Sequence, residues 1–227
     1  MKKSSVFAFA VLALATQIAS AYDPSPLQDF CVGVDEPNYG LFVNGKFCKD
    51  PNLVVADDFY TSGLDVPAST DNADGYNVIG INVERLPGLN TMGLSLARFD
   101  YAPYGVNPPH VNPRASEIIT VVTGKLYVGF MHYSYYQERS RLFWKVMKRG
   151  DVFVFPMGLP HFQMNIENTP AVALAAFNGQ DPGKVPMPVA LFGSFPPIRP
   201  EVLARSLRLD RKVIEYLQAQ FQNSTSP

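Results

Sequence analysis

The stretch Asn107-Pro108-Pro109-His110-Val111-Asn112-Pro113-Arg114-Ala115-Ser116-Glu117 decides how this chain reads. It is answered downstream by Gly150-Asp151-Val152-Phe153-Val154-Phe155-Pro156-Met157-Gly158-Leu159-Pro160-His161. In an extended strand, residues two apart project to the same face, so His110 and Asn112 can both point inward. Glu117 has the opposite parity, which requires a reset of register, and Pro113 is the place for the bend. The second stretch runs from a turn into a strand and then through a Pro/Gly-rich loop that delivers His161, with Asn165 four residues on. Each histidine alone is an ordinary structural residue. Together with a carboxylate, the two are a candidate metal-ligand set.

Working outward, short β-prone runs recur at the roughly 8–12-residue spacing of a sandwich or barrel. They are Val78–Val83, Met92–Tyr101, Glu117–Val122, Lys125–His132, Leu142–Met147, Asp151–Phe155, His161–Asn165 and Ala171–Phe177. Gly124 and Gly150-Asp151 supply turns, and Arg149-Gly150-Asp151 reads as one of them rather than as an adhesion tripeptide. His132, on a strand without a partner ligand nearby in sequence, reads as structural or exposed. Between Tyr22 and Asp74 the sequence is irregular, broken by Pro, Asp, Asn and Gly. The C-terminal end changes period: Pro200 can open a helix and Asp210 can cap another. Leu209, Val213, Ile214, Leu217 and Phe221 fall on one helical face, which serves packing on the same barrel or on a neighbouring subunit equally well.

Composition narrows the function. The 227 residues carry 19 Lys+Arg against 20 Asp+Glu and are 47% hydrophobic, so the chain is globular and nearly neutral, without the basic patch that nucleic acid or an anionic membrane surface would demand. Lys2 and Lys3, an apolar run from Val6 to Ala15 and Ala19-Ser20-Ala21 form a secretory signal over residues 1–21, cleaved after Ala21. No later run is long enough to span a bilayer. In an oxidising compartment the only two cysteines, Cys31 and Cys48, are expected to pair. Asn223-Ser224-Thr225 is a glycosylation sequon in a polar tail, which places a candidate glycan on Asn223.

The paired boxes resemble those of the cupin superfamily, and specifically of the germins and germin-like proteins of plants. Asp29-Phe30-Cys31, Gly45-Lys46-Phe47-Cys48, Ala56-Asp57-Asp58-Phe59, Leu89-Asn90-Thr91, Leu94-Ser95-Leu96-Ala97-Arg98 and Phe192-Gly193-Ser194 are similar to further segments of that family. The resemblance implies an all-β cupin jelly-roll barrel over residues 75–195 and a disulfide-stapled N-terminal arm over 22–74. It also implies C-terminal α-helices over 196–227 that make subunit contacts, and a homo-oligomer, trimer or hexamer, secreted to the apoplast. The extracellular matrix is a further partner, and no nucleic acid or membrane is.

In the family three imidazoles and one carboxylate surround manganese. Here the match holds at His110, Glu117 and His161, while Asn112 takes the place of the second histidine, and Tyr104 stands where glycine is usual. Manganese(II) is a hard ion that accepts an amide oxygen, so Asn112 can complete the set with a weaker donor. The resemblance implies superoxide dismutase-type activity and a role in plant defence. It argues against oxalate oxidase: Asn107 matches one of two asparagines that line the oxalate pocket of true germins, and Ala97 stands at the other position. The competing reading is a non-catalytic extracellular cupin, a cell-wall, receptor or small-ligand binding module with a degenerate metal site.

Overall fold

The computed structural model describes residues 30–35, 41–43 and 46–223. The signal segment 1–21 and the tail beyond Asn223, with two of the three sequon residues, lie outside the described residues.

Two five-stranded antiparallel sheets hold the core between them. The first runs in the order β10-β7-β12-β5-β4, built from Val152–Phe155, Glu117–Thr123, Ala171–Phe177, Ser95–Tyr101 and Tyr76–Ile81. The second runs β13-β6-β11-β8-β9, built from Val185–Pro186, Val106–Val111, His161–Asn165, Lys125–Ser134 and Arg139–Lys148. The first sheet shows the alternation that a half-buried strand requires. In β12, Ala171, Ala173, Ala175 and Phe177 face inward, and in β7 Glu117, Ile119 and Val121 do. Its inner face is apolar except for Glu117 and Ser95. The second sheet is different: β8 contributes Leu126 and Val128, but the inward residues of β11 are His161, Gln163 and Asn165, all fully buried. Six of the eight expected runs differ from the observed strands by a residue or more at their ends, with Lys125–His132 lengthened to Ser134 and Leu142–Met147 to Arg139–Lys148, while His161–Asn165 and Ala171–Phe177 match. Met92–Tyr101 loses its first three residues, because Thr91 and Gly93 take left-handed φ values of 67° and 64° that no strand continues through.

The arm, read from sequence as irregular, carries a small sheet of three strands, β1 (Gly33–Val34), β3 (Lys46–Cys48) and β2 (Leu41–Val43), in the order β1-β3-β2. Cys31 and Cys48 are disulfide-bonded as expected. Strands of two or three residues give too short an alternation to register as a pattern. Arg98 ties the arm to the first sheet. Its guanidinium grips Asp100 through Nε and Nη2 and donates to the Leu64 carbonyl at 2.7 Å, while Asp100 accepts from the Ala68 amide at 3.0 Å.

After the barrel come α1 (Met187–Phe192), which the sequence reading did not anticipate, α2 (Pro200–Leu207) and α3 (Arg211–Asn223). Pro200 opens α2 as its spacing suggested. Asp210 caps α3, its carboxylate accepting from the Lys212 amide at 2.7 Å. Of the expected apolar face, Ile214 is fully buried and Phe221 meets Phe192 of α1 with ring centroids 5.9 Å apart. Leu209 and Val213 remain exposed, and Gln218, which donates to the Ile198 carbonyl at 2.7 Å, takes the buried place beside Ile214. The intrachain packing thus uses only part of the apolar stripe. No helix among the described residues is long and apolar enough to cross a membrane.

Candidate metal centre

β6 and β11 lie side by side in the second sheet, and their register places His161 opposite His110. Two residues further along β11, Gln163 stands opposite Asn107, three residues back along β6. The extra residue is a bulge, and it falls at Pro108-Pro109, where missing amide hydrogens make regular pairing costly. The bulge shifts side-chain parity so that Asn107 and His110, an odd number apart, both face the interior. After Val111 the chain leaves this sheet, turns through Asn112–Ser116 with Pro113 in the bend, and enters β7 of the opposite sheet at Glu117. The parity difference between Asn112 and Glu117 has its physical reason here: inward is the opposite direction on the opposite sheet.

His110, Asn112, Glu117 and His161 are brought together, each at most 3% exposed. Ligand atoms of His110, Glu117 and His161 lie within 4.8 Å of one another. Both imidazoles are held alike: His110 Nδ1 donates to the Pro108 carbonyl and His161 Nδ1 to the Leu159 carbonyl, each at 2.8 Å. With the protons on Nδ1, the Nε2 lone pairs are free to ligate, the arrangement in which a hydrogen bond at one ring nitrogen orients a histidine for a metal at the other. Phe155 stacks on His161 at 4.6 Å, and the two imidazole centroids are 4.1 Å apart. Burial, assisted by the Lys184 ammonium and the neighbouring His161, pushes His110 down to about 2, so that its Nε2 keeps a lone pair to offer.

His161 Nε2 faces Glu117 Oε2 at 3.3 Å. A His161 that carries its single proton on Nδ1 turns a lone pair to the carboxylate, an arrangement that a cation at this place relieves. The Asn112 amide closes the group: Nδ2 donates to Glu117 Oε2 at 3.0 Å and lies 3.4 Å from His161 Nε2. To offer its oxygen to a metal at this place, the amide would have to rotate about its last torsion. The donor set of two imidazoles, one carboxylate and one amide fits a hard first-row divalent ion. Asn112 also joins the two boxes through its backbone, its carbonyl accepting from the Gly158 amide at 3.0 Å.

Behind the ligands lies a buried polar row that the sequence reading did not foresee as a unit. Gln163 Nε2 donates to Glu117 Oε1 at 3.4 Å, Asn107 Nδ2 donates to Gln163 Oε1, and Lys184 Nζ donates to Asn107 Oδ1 at 2.7 Å. Alternation along His161–Asn165 could have flagged Gln163; nothing in the sequence pointed to Lys184, which is remote from both boxes. Tyr101 adds a fully buried hydroxyl without a hydrogen-bond partner. His132 is exposed, and Gly150 sits in the β9–β10 turn with φ 85°, so the turn reading of Arg149-Gly150-Asp151 describes it. Tyr104, at the family's glycine position, adopts φ 61°, the left-handed backbone for which glycine is suited.

Two antiparallel sheets around one core, with two histidines on one and a carboxylate on the other, give the architecture of a cupin with a candidate metal site. The cupin family model matches residues 62–215. The chain is 53% identical to germin-like protein subfamily 1 member 17 of Arabidopsis thaliana, over 98% of this chain and all of that protein, and 55% identical to member 16, over 96% of each. Among solved structures, recombinant oxalate oxidase in complex with glycolate superposes with a TM-score of 0.82 at 41% identity, covering 89% of this chain and 100% of that one. The chain belongs to the germin-like proteins of the cupin superfamily. Peruvianin-I, described as a cysteine peptidase from Thevetia peruviana latex, is also similar, with a TM-score of 0.63 at 37% identity over 72% of this chain and 97% of that one. Here both cysteines are consumed by the disulfide, so no thiol nucleophile exists.

Proposed function

We propose that the protein is a secreted, manganese-binding germin-like protein of the plant apoplast, with superoxide dismutase-type activity and a role in defence. The observation that carries the metal reading is the buried confrontation of His161 Nε2 with Glu117 Oε2 at 3.3 Å, both histidines being locked by Nδ1 to backbone carbonyls. His110, His161 and Glu117 would hold the ion, with the Asn112 oxygen as a fourth donor. Bound manganese would supply the one-electron redox chemistry that superoxide dismutation requires. The chain's own contribution is to keep His110 neutral, to exclude water from the ligands by burial, and to hold the Glu117 carboxylate through Gln163. The disulfide supports secretion.

Oxalate oxidation is not proposed. Asn107 is wholly buried, with its oxygen held by Lys184 and its amide by Gln163, and Ala97 offers no donor. An oligomer, trimer or hexamer, is supported by apolar residues left open: Val152, Val154 and Ile118 on the outer face of the first sheet, Leu94 just before β5, and Val202, Val213 and Tyr216 on the helices.

Metal analysis of the native oligomer, with anomalous scattering at the site and a dismutation assay, tests this reading. Stoichiometric manganese at the four residues is the expected result, and a protein isolated with manganese present that carries none overturns it. The competing reading, a non-catalytic extracellular cupin, draws on one observation: the Asn112 amide presents its NH₂ to Glu117 and His161. That reading is supported if Asn112→His is needed before metal and dismutation are seen.

A further inference from the structure

Lys184 stands at the far end of the buried polar row. It is delivered by the turn Asp181-Pro182-Gly183, which Arg114 pins by donating to the Asp181 carbonyl at 3.0 Å and to its carboxylate at 2.7 Å. Immediately afterwards β13 pairs with β6, Val185 opposite Val111 and Pro186 opposite His110. The residue as a whole is exposed, yet its ammonium reaches inward, 2.9 Å from the Tyr76 hydroxyl, 4.8 Å from the centre of that ring, and 2.7 Å from the oxygen of the fully buried Asn107.

The chemistry of the end groups fixes the direction of everything between them. An ammonium has donors and no acceptor, so Asn107 must turn its Oδ1 to Lys184 and therefore its NH₂ to Gln163. Gln163 must then present Oε1 to Asn107 and its NH₂ to Glu117, whose carboxylate has only acceptors. Without the ammonium, Asn107 is free to reverse, and its oxygen then meets Oε1 of Gln163 or competes with the Glu117 carboxylate for the Gln163 NH₂.

We propose that Lys184 is a positioning residue of the metal centre, which sets the polarity of the relay Lys184–Asn107–Gln163–Glu117 and so holds Glu117 Oε1 by a donor while Oε2 faces His161 and Asn112. This rests on the metal-centre reading above. It makes Lys184 act on the ligand geometry through two uncharged amides, and the sign of its effect separates that role from a purely electrostatic one. A nearby cation repels a divalent ion, so if charge alone mattered, removing it would tighten metal binding. If the relay matters, removal loosens it.

The test uses the full secreted protein, stripped with chelator and titrated with manganese(II) alone, as wild type, Lys184→Met and Lys184→Arg. The relay predicts a loss in manganese affinity of about tenfold or more for K184M, the range typical when a hydrogen-bond partner that orients a metal ligand is removed. It also predicts a changed zero-field splitting in the manganese(II) electron paramagnetic resonance spectrum, and recovery of both in K184R, whose guanidinium is likewise donor-only. Asn107→Asp, which keeps the acceptor for Lys184 but withdraws the donor from Gln163, gives the same loss and serves if K184M does not fold. Unchanged or tighter binding in K184M, with the wild type loading normally, overturns the relay and leaves the metal reading intact. A wild type that takes up no manganese overturns the metal reading and the relay with it.

Discussion

Asn112→His is the substitution with the most to say about this site. The present amide lies 3.0 Å from Glu117 Oε2 and 3.4 Å from His161 Nε2 and is 3% exposed, so a replacement there points directly at the ligand atoms. The imidazole is larger than the amide and enters a packed interior, which should destabilise the metal-free protein by about 1–3 kcal/mol. With metal the sign reverses. At a free manganese concentration of 100 times Kd, binding adds about 2.7 kcal/mol to stability, and for a chain of this size each kcal/mol moves Tm by about 2–4 °C. The wild type should therefore gain about 5–11 °C. An imidazole in place of a weak amide donor, if it tightens binding tenfold, contributes a further ~1.4 kcal/mol at the same metal concentration, or about 3–6 °C more. The assay is thermal unfolding of both proteins with chelator and with manganese, alongside titration for Kd and dismutation rate. The expected signature is a lower metal-free Tm in the variant with a larger metal-dependent gain. A variant whose gain does not exceed that of the wild type refutes the reasoning that Asn112 is the weak member of the donor set.

Four other outcomes are expected of the same structure. Glu117→Gln removes the only carboxylate among the clustered ligands and should weaken manganese binding by tenfold or more, read by titration, while the secondary structure seen by circular dichroism stays in place. In chelator-treated protein, His110 lies near 2 when folded against about 6.5 when unfolded, so its contribution is complete above pH 6.5 and declines as pH falls from there towards 2. Below pH 6, denaturant unfolding should show stability falling by up to about 1.4 kcal/mol per pH unit from this group, a slope that His110→Gln abolishes. Tyr101→Phe deletes a buried hydroxyl that has no partner and should leave stability unchanged or raise it by about 1 kcal/mol; a loss of that size would mean that an internal water satisfies the hydroxyl. Replacing Cys31 and Cys48 together by alanine opens a loop of 17 residues and should cost about 3 kcal/mol in urea unfolding.

Much of the fold was legible because short β-prone runs recur between turn residues, and both boxes sit at recognisable turns. Ala171–Phe177 and Glu117–Val122 alternate in burial and not in hydropathy, so which of their residues face the core could not be read from sequence. β6 was harder, since Pro108-Pro109 look like a break, and only the cross-strand register with Gln163 and His161 shows that they form a bulge inside a strand. The four clustered residues could be named from the boxes. Their common direction could not be derived from strand parity alone, because the chain changes sheet between Asn112 and Glu117. Lys184 was out of reach altogether: it is separated from His110 by most of the barrel and becomes its neighbour only when β13 closes on β6. The C-terminal stripe shows the converse limit, for helical spacing identified an apolar face but not that Leu209 and Val213 would be left exposed.

The placement of the ligands makes the site part of what holds the barrel together. His110 and His161 are cross-strand partners in the second sheet, and Glu117 begins β7 in the first, so an ion bound by all three would join the two sheets at one edge of the core. The apolar face of the first sheet does not need that link, since Ile119, Val121, Ala173 and Ala175 are buried with Leu126 and Val128 in one apolar cluster that draws on no metal. The polar interior of the second does: Gln163 and Asn107 are satisfied only through Glu117 on one side and Lys184 on the other. Metal binding and the order of this polar row are therefore expected to rise and fall together, while the apolar half of the barrel holds the fold. A change at Asn112 should for that reason be felt first in metal affinity and redox chemistry, and only later in whether the chain folds.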